Sequence, residues 1–403
     1  NIEEVAKYAL IDPLNVFKNN APDLYKSMLK EVDQEISLII KDAGTSNELE
    51  GSNYHTDVKF QRSQKYDNLE NLNDRVVNRI NLFFDTILQK DEKALFIGED
   101  ILSPYGGAFK VAKDLSLKYP DKVISTPISE AGITGLTNGL ALGGFRPFLE
   151  IMFGDFLTLA LDQIINHASK FHHMYDKQIN CPIVIRTPMG GGRGYGPTHS
   201  QTLDKFLVGI DNFNVIALNS FIDPKLIYDN IYTNEIHPVL VIENKLDYGK
   251  FVGSQNLKFY NIKRSCDLYP IVLCTPITES PSITIVTYGG ISSNVLEALH
   301  DIFQFTGLIP ELIILSKISP LDIYPIVESV KITRRIITIE EGSKQFGVGA
   351  EIISQTIESL GSGVILAKRI GAKPAPIPSA RTTEDWVLPN NRIIENILDE
   401  LSL

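Results

Sequence analysis

Lys122-Val-Ile-Ser-Thr-Pro-Ile-Ser-Glu-Ala-Gly-Ile133 changes character twice in twelve residues. Lys122-Val-Ile124 is a short run that reads as a strand. Ala131 to Gly144, which begins inside the quoted stretch, is built of small and apolar residues and reads as a buried helix. Strand, polar turn, helix is the repeating step of an α/β sheet. Glu130 is the one acid at this junction. Two roles are open to it. A helix start favours an acid through the helix dipole. A carboxyl withdrawn from bulk water favours its protonated form, and so could hold a proton and share it.

The same step repeats along the chain. Apolar runs at 94–97, 123–124, 147–152, 182–185, 215–218 and 239–242 read as strands, and a helix is expected from about Phe156 to Tyr175. Short apolar strands separated by helices imply a parallel sheet covered on both faces. After a proline-bearing irregular stretch at 246–282 the alternation restarts. Strands are expected at 283–288, 312–315 and 336–339, and helices at 294–305, 323–330 and 348–360. The predicted fold class is therefore α/β, with two doubly wound domains: a mainly parallel sheet over 71–245 and a smaller domain over 283–403, joined by 246–282. Val76, Val77, Ile80, Phe83, Phe84, Ile87 and Leu88 mark an amphipathic helix ahead of the first strand. Residues 1–42 are polar and helical, with Leu29, Val32, Ile36, Ile39 and Ile40 at helical spacing. Residues 43–70 read as a linker.

Composition narrows the function classes. A chain of 403 residues exceeds one average core, so two or three domains are expected. A net charge of -11 argues against a nucleic-acid partner, which usually meets a basic face. No apolar run reaches 18 residues, so no membrane span is expected. The start, Asn1-Ile-Glu-Glu, has neither the basic end nor the apolar run of a signal peptide, and no initiator Met. It reads as the edge of a processed or truncated piece. Cys181, Cys266 and Cys274 are odd in number and widely spread. They fit buried free thiols in a reducing, cytoplasmic compartment, not a disulfide frame or a zinc site.

Several candidates for chemistry lie just past strand ends, where ligands bind in such sheets. Glu99-Asp100 follows the strand 94–97, as capping acids or as functional ones. Gly190-Gly-Gly-Arg-Gly-Tyr-Gly196 follows the strand at 182–185 and suits either close approach of backbone to a ligand or a mobile loop. It lacks the Gly-Lys-Ser/Thr of a phosphate-binding loop. His199 comes directly after it, as a proton donor or acceptor near neutral pH or as a solvent-facing residue. Phe156 offers a flat face to a planar ligand or packs in the core. His167, His172 and His173 share one predicted helix, but no two are four apart, so the two-His zinc pattern is absent. Gly347-Val-Gly-Ala-Glu351 lacks the third Gly of a dinucleotide fingerprint and reads as a tight strand-to-helix turn.

The order of these motifs resembles one family. Gly98-Glu-Asp-Ile101, Tyr105-Gly-Gly-Ala-Phe-Lys-Val111, Lys122 to Gly132, Arg146-Pro-Phe-Leu-Glu150, Leu161-Asp-Gln-Ile-Ile-Asn166, Cys181-Pro-Ile-Val-Ile-Arg186 and His199-Ser-Gln201 resemble the beta subunit of the thiamine-diphosphate-dependent decarboxylating component of 2-oxo acid dehydrogenase complexes. Pro320-Leu-Asp322 and Gly347 to Glu351 resemble its transketolase-like C-terminal domain, and the likeness covers about residues 75–403. Asp12-Pro-Leu14 and Glu31-Val-Asp-Gln-Glu-Ile36 resemble the end of the alpha subunit of the same component, which suggests the later part of a fused alpha–beta chain.

The resemblance implies decarboxylation of pyruvate or a branched-chain 2-oxo acid on thiamine diphosphate, and passage of the acyl group to a lipoyl group on the acyltransferase core. It implies that Glu130 bonds the aminopyrimidine ring nitrogen and activates the cofactor. It makes His199 the active-site histidine and Phe156 the aromatic on the pyrimidine. Glu99 becomes an acid on the polar path between paired sites, and Ile128 a further cofactor contact. Thr198 departs from the His or Gln more often found before that histidine, which bears on substrate preference. The Gly-Asp-Gly motif that holds magnesium and diphosphate in the family is absent from this sequence and belongs to the alpha part. No metal ligand is therefore expected here, and a two-fold alpha–beta assembly is. Ketol transfer, as in transketolase or deoxyxylulose phosphate synthase, is the other enzyme reading. A non-catalytic subunit that docks the acyltransferase is the third.

Overall fold

Val76, Ile80, Phe83, Phe84, Ile87 and Leu88 fall on one stripe of the helix Val76–Lys90, and all six are buried. Phe84 stacks on Phe96 of the neighbouring sheet at 4.4 Å between centroids and meets Phe148 edge-on. Each such side chain stabilises the fold by roughly 1.5–3 kcal/mol through burial. The computed structural model describes residues 2–45, 65–253 and 257–401. The chain divides into two units, residues 1–59 and 60–403.

In the first unit three helices span Ile2–Ile11, Pro13–Asn20 and Pro22–Thr45. Asp12 caps the second, accepting the Asn15 N–H at 3.0 Å, with Pro13 at the first helical position. Leu29, Val32, Ile36, Ile39 and Ile40 lie along the third, where no residue is buried. Of the expected linker at 43–70, residues 46–64 lie outside the described residues. Residues 66–68 form a strand rather than a linker.

The second unit holds two seven-stranded sheets. The strands are β1 (Tyr66–Asn68), β2 (Ala94–Gly98), β3 (Val123–Ser125), β4 (Arg146–Glu150), β5 (Val184–Met189), β6 (Asn214–Ala217), β7 (Val239–Asn244), β8 (Tyr260–Ser265), β9 (Val272–Pro276), β10 (Ile283–Tyr288), β11 (Pro310–Leu315), β12 (Lys317–Ser319), β13 (Arg335–Ser343) and β14 (Leu366–Ala372). One sheet runs β12-β6-β7-β5-β4-β2-β3 and is parallel except for β12. Every residue of β2, β5, β6 and β7 is buried, as a sheet covered on both faces requires. The other sheet runs β1-β8-β9-β11-β10-β13-β14. Its β10, β11, β13 and β14 are parallel, and β1, β8 and β9 are antiparallel additions.

Three sequence expectations are corrected here. Residues 246–282 are not merely irregular: β8 and β9 form an antiparallel pair that widens the second sheet. The prolines at 270, 276 and 281 fall outside the pair or at its end, so they punctuate the strands without interrupting them. The expected helix from Phe156 to Tyr175 is broken into a 3₁₀ segment, Gly154–Ala160, a π turn, Gln163–Ala168, and a single α-helical turn, Phe171–Met174. The Asn138 side chain donates to the Gln163 carbonyl at 2.9 Å, and the Ser169 N–H reaches five residues back to Ile164. His167 therefore stands on the π turn and His172 and His173 on the α turn. Finally, Cys181 and Cys274 are buried but Cys266 is exposed, its thiol donating to Asp67 at 3.2 Å. No helix of the described residues is long and apolar enough to cross a membrane.

Candidate active site

The strand order β5-β4-β2-β3 brings four chain segments side by side at the carboxyl edge of the first sheet. These are the loop after Met189, the segment after Glu150, Glu99 after Gly98, and the turn after Ser125. All the residues singled out from sequence for proton or ring chemistry stand in these four segments.

Glu99 and Glu130 form the first group. The Ser129 Oγ caps the helix Glu130–Leu142 by accepting the Gly132 N–H at 3.3 Å. That cap fixes Glu130 at the first helical position, where it is 7% exposed. Glu99, also buried, accepts the Ser129 N–H at 2.9 Å and so ties the end of β2 to the start of this helix. Burial raises the Glu99 carboxyl above its ordinary range. The Ser129 N–H opposes that rise, and the nearby Glu130 and Asp100 add to it. Among the described residues no donor is hydrogen-bonded to the Glu130 side chain, although it is nearly out of water. Ile128 is 77% exposed on the turn just before it.

His199 and Phe156 form the second group. Their rings meet edge to face, with centroids 5.1 Å apart and planes at 84°. Phe153, whose ring centre is 5.7 Å from that of Phe156, meets the same imidazole at 4.9 Å and 76°. Thr198 Oγ1 and His199 Nδ1 share a hydrogen at 2.9 Å. That bond leaves Nε2 as the ring nitrogen for proton exchange. The structure gives no direct bond between this group and Glu130; the two meet as neighbours on one sheet edge.

The glycine-rich segment is held at several points. Gly190, Gly192, Gly194 and Gly196 take φ of +95°, +81°, +70° and +80°, a region that favours glycine. Two buried acids from the second half of the chain accept their amides. Glu341 takes the Gly191 N–H at 2.7 Å, and Glu384 takes those of Gly192 and Gly194 at 2.8 and 3.1 Å. Lys245, fully buried just past β7, donates from Nζ to the carbonyls of Gly190 at 2.9 Å and His199 at 2.6 Å. Sequence reasoning missed Lys245, Glu341 and Glu384. A charged residue after a strand or on a late helix looks like surface, and nothing local marks it as buried.

Beneath this edge lies a polar core. Arg186 of β5 is buried and bonds Glu150 of β4, Glu243 of β7 and the Tyr248 hydroxyl. Tyr228 also donates to Glu243. The two glutamates compensate the arginine charge, and the two tyrosines satisfy remaining lone pairs. Gly107 closes over this network: a Cβ there would lie 2.9 Å from Glu150 Oε1. The Gly347-Val-Gly349 turn has a comparable use. Its Gly349 N–H donates to the Glu340 carboxylate at 3.1 Å, and a side chain at Gly347 would collide with that group. Among the described residues no group of three or more His, Cys, Asp or Glu could hold a metal ion.

Comparison with known proteins gives these features a setting. Residues 76–250 match the family model "Transketolase, pyrimidine binding domain", and residues 275–394 match "Transketolase, C-terminal domain". The chain is 34% identical over 331 residues to pyruvate dehydrogenase E1 component subunit beta-1, mitochondrial, of Arabidopsis thaliana, covering 80% of this chain and 87% of that one. The corresponding beta subunit of Bos taurus is 36% identical over 315 residues, covering 77% and 85%. That of Rickettsia bellii is 33% identical over 317 residues, covering 77% and 93%. Among solved structures, a split gene transketolase, described as an inactive beta4 tetramer, superposes with a TM-score of 0.60 over 81% of this chain and 98% of that one, at 18% identity. That likeness is one of fold.

Proposed function

Because the chain belongs to the family of pyruvate dehydrogenase E1 component beta subunits, we propose that it supplies the beta half of a thiamine-diphosphate-dependent 2-oxo acid dehydrogenase. The substrate is pyruvate or a branched-chain 2-oxo acid, and the acyl group passes to the lipoyl group of an acyltransferase core. One observation carries the reading: Glu130, buried and with no hydrogen-bond donor to its side chain among the described residues, shares a sheet edge with the His199–Phe156 pair.

The residues present fit half of the cofactor. A buried carboxyl with no donor among the described residues suits a ring nitrogen, and the Phe156 ring suits a flat heterocycle. In this reading diphosphate and magnesium belong to the alpha part. When bound, thiamine diphosphate supplies the carbon nucleophile and electron sink for loss of carbon dioxide.

Glu130 holds and shares a proton with the pyrimidine ring, from a carboxyl fixed by the Ser129 cap. Glu99 keeps that cap in place through the Ser129 N–H. His199 exchanges a proton through Nε2 while Thr198 sets its ring orientation at Nδ1. Phe153 and Phe156 keep water from one side of the imidazole. The test is carbon dioxide release from pyruvate and from branched-chain 2-oxo acids by this chain assembled with its alpha part. Release from either supports the reading. Consumption of a sugar phosphate with no release from either would move the chain to ketol transfer, and binding of the acyltransferase with no turnover would leave it a docking subunit.

A further inference from the structure

Lys245 is the least expected residue at this edge, because a lysine is almost never fully buried without a task. Its Nζ bonds two carbonyls, Gly190 and His199, which are the two ends of the glycine-rich loop. Its own carbonyl accepts Arg193 Nη2 from the middle of that loop at 3.2 Å. The ammonium also stands 5.1 Å from the centre of the Phe153 ring, the ring that closes on His199. One side chain therefore touches the loop at both ends and the aromatic wall of the imidazole.

We propose that Lys245 is a positioning residue for His199: its ammonium pins the two ends of the 190–199 loop together and so fixes where the imidazole stands against Phe153 and Phe156. This rests on the reading that His199 exchanges a proton with the bound reactants. Carbonyl oxygens at a cationic donor make stronger bonds than at a neutral one, so the clamp weakens when the charge is lost. The groups facing the ammonium are Asp155 from the 3₁₀ segment, Glu341 from β13 and Glu384 from the helix Arg381–Val387, which favour the charge, and Arg193 from the loop, which opposes it. Burial outweighs the acids and brings the Lys245 pKa down to about 8. Sequence alone could not show this, since the clamp joins residues 55 and 46 positions apart.

The experiment uses the chain assembled with its alpha part, as wild type, Lys245→Met, Lys245→Arg and His199→Ala. Amide hydrogen exchange over residues 190–200, read without cofactor, is followed beside acyl transfer. In Lys245→Met exchange over this segment should rise about tenfold or more, with transfer falling by up to about a hundredfold at little change in the KM for the 2-oxo acid. Lys245→Arg should restore most of both. In wild type the segment should loosen as pH rises through about 8, relative to Lys245→Arg at the same pH, because arginine keeps its charge there. If Lys245→Met does not fold, that pH comparison decides: a divergence near pH 8 supports the clamp, and identical courses overturn it. Unchanged exchange and transfer in a folded Lys245→Met also overturn it. If His199→Ala transfers at the wild-type rate, the assigned role of His199 fails, whereas the exchange result still judges the clamp.

Discussion

The His199 imidazole meets the Phe156 ring edge to face, with centroids 5.1 Å apart and planes at 84°. Two residues separated by 43 positions become one surface because their segments leave neighbouring parallel strands on the same sheet edge. An aromatic edge of this kind favours one ring orientation and contributes about 0.5–1.5 kcal/mol beyond area burial.

His199→Asn should therefore lower acyl transfer by about 10²–10⁴-fold in the assembled enzyme, the range for removal of a general acid–base. Phe156→Leu keeps an apolar contact but loses the edge, and should cost a smaller factor, about tenfold. Steady-state assays of transfer check both. An equal loss in the two variants would mean that Phe156 does more than orient the ring.

The loop itself should resist any side chain at Gly194. That residue sits at φ +70°, and a Cβ would lie 2.9 Å from the Ser379 carbonyl oxygen. Gly194→Ala should destabilise the chain by about 1–3 kcal/mol. Urea unfolding measures this, and faster exchange of the Gly192 and Gly194 amides should accompany it as Glu384 loses its hold.

Tyr288 reaches two acids at once, Asp204 at 2.5 Å and Glu340 at 3.1 Å, with one hydroxyl proton between them. Burial pushes Asp204 up to about 6 and Glu340 up to about 7. Both folded values exceed the unfolded ones. The stability these groups contribute is thus full below about pH 4 and is lost as pH rises through about 6 and 7. Asp204→Asn should flatten the fall in stability between pH 5 and pH 8 by about 1–1.5 kcal/mol. Denaturant midpoints at a series of pH values check the slope, and an unchanged slope would remove Asp204 from the account.

Arg186 lies between Glu150 and Glu243 with all three buried. Arg186→Met should cost about 3–5 kcal/mol, because two carboxylates are left without their cation. Thermal unfolding reads this. The loss should shrink when Glu243→Gln is added, since one of the stranded charges is then gone.

How much of this could be read from the chain depends on the range over which each feature is determined. The helix Val76–Lys90 was legible because its six buried residues follow the helical period locally. The fully buried strands β2, β5, β6 and β7 were legible as apolar runs. β8 was not, because Tyr260-Asn-Ile-Lys-Arg-Ser265 is polar along one side and belongs to a sheet completed by distant partners. The break-up of 156–175 depends on Asn138, a residue of another helix. Glu130, His199, Phe156 and Glu99 were found through motif order, and the structure puts them on one edge. Lys245, Glu341 and Glu384 carry no local signal; their burial and partners arise only when the two sheets are built.

The central claim is that Glu130 handles a proton at the cofactor. It is tested most directly by carbon dioxide release from a 2-oxo acid, comparing wild type with Glu130→Gln, each assembled with the alpha part. The amide keeps size and cap geometry but cannot take up or share the proton, so the rate should fall by about 10²–10⁴-fold with the fold intact. Release at the wild-type rate by a folded Glu130→Gln enzyme would contradict the account.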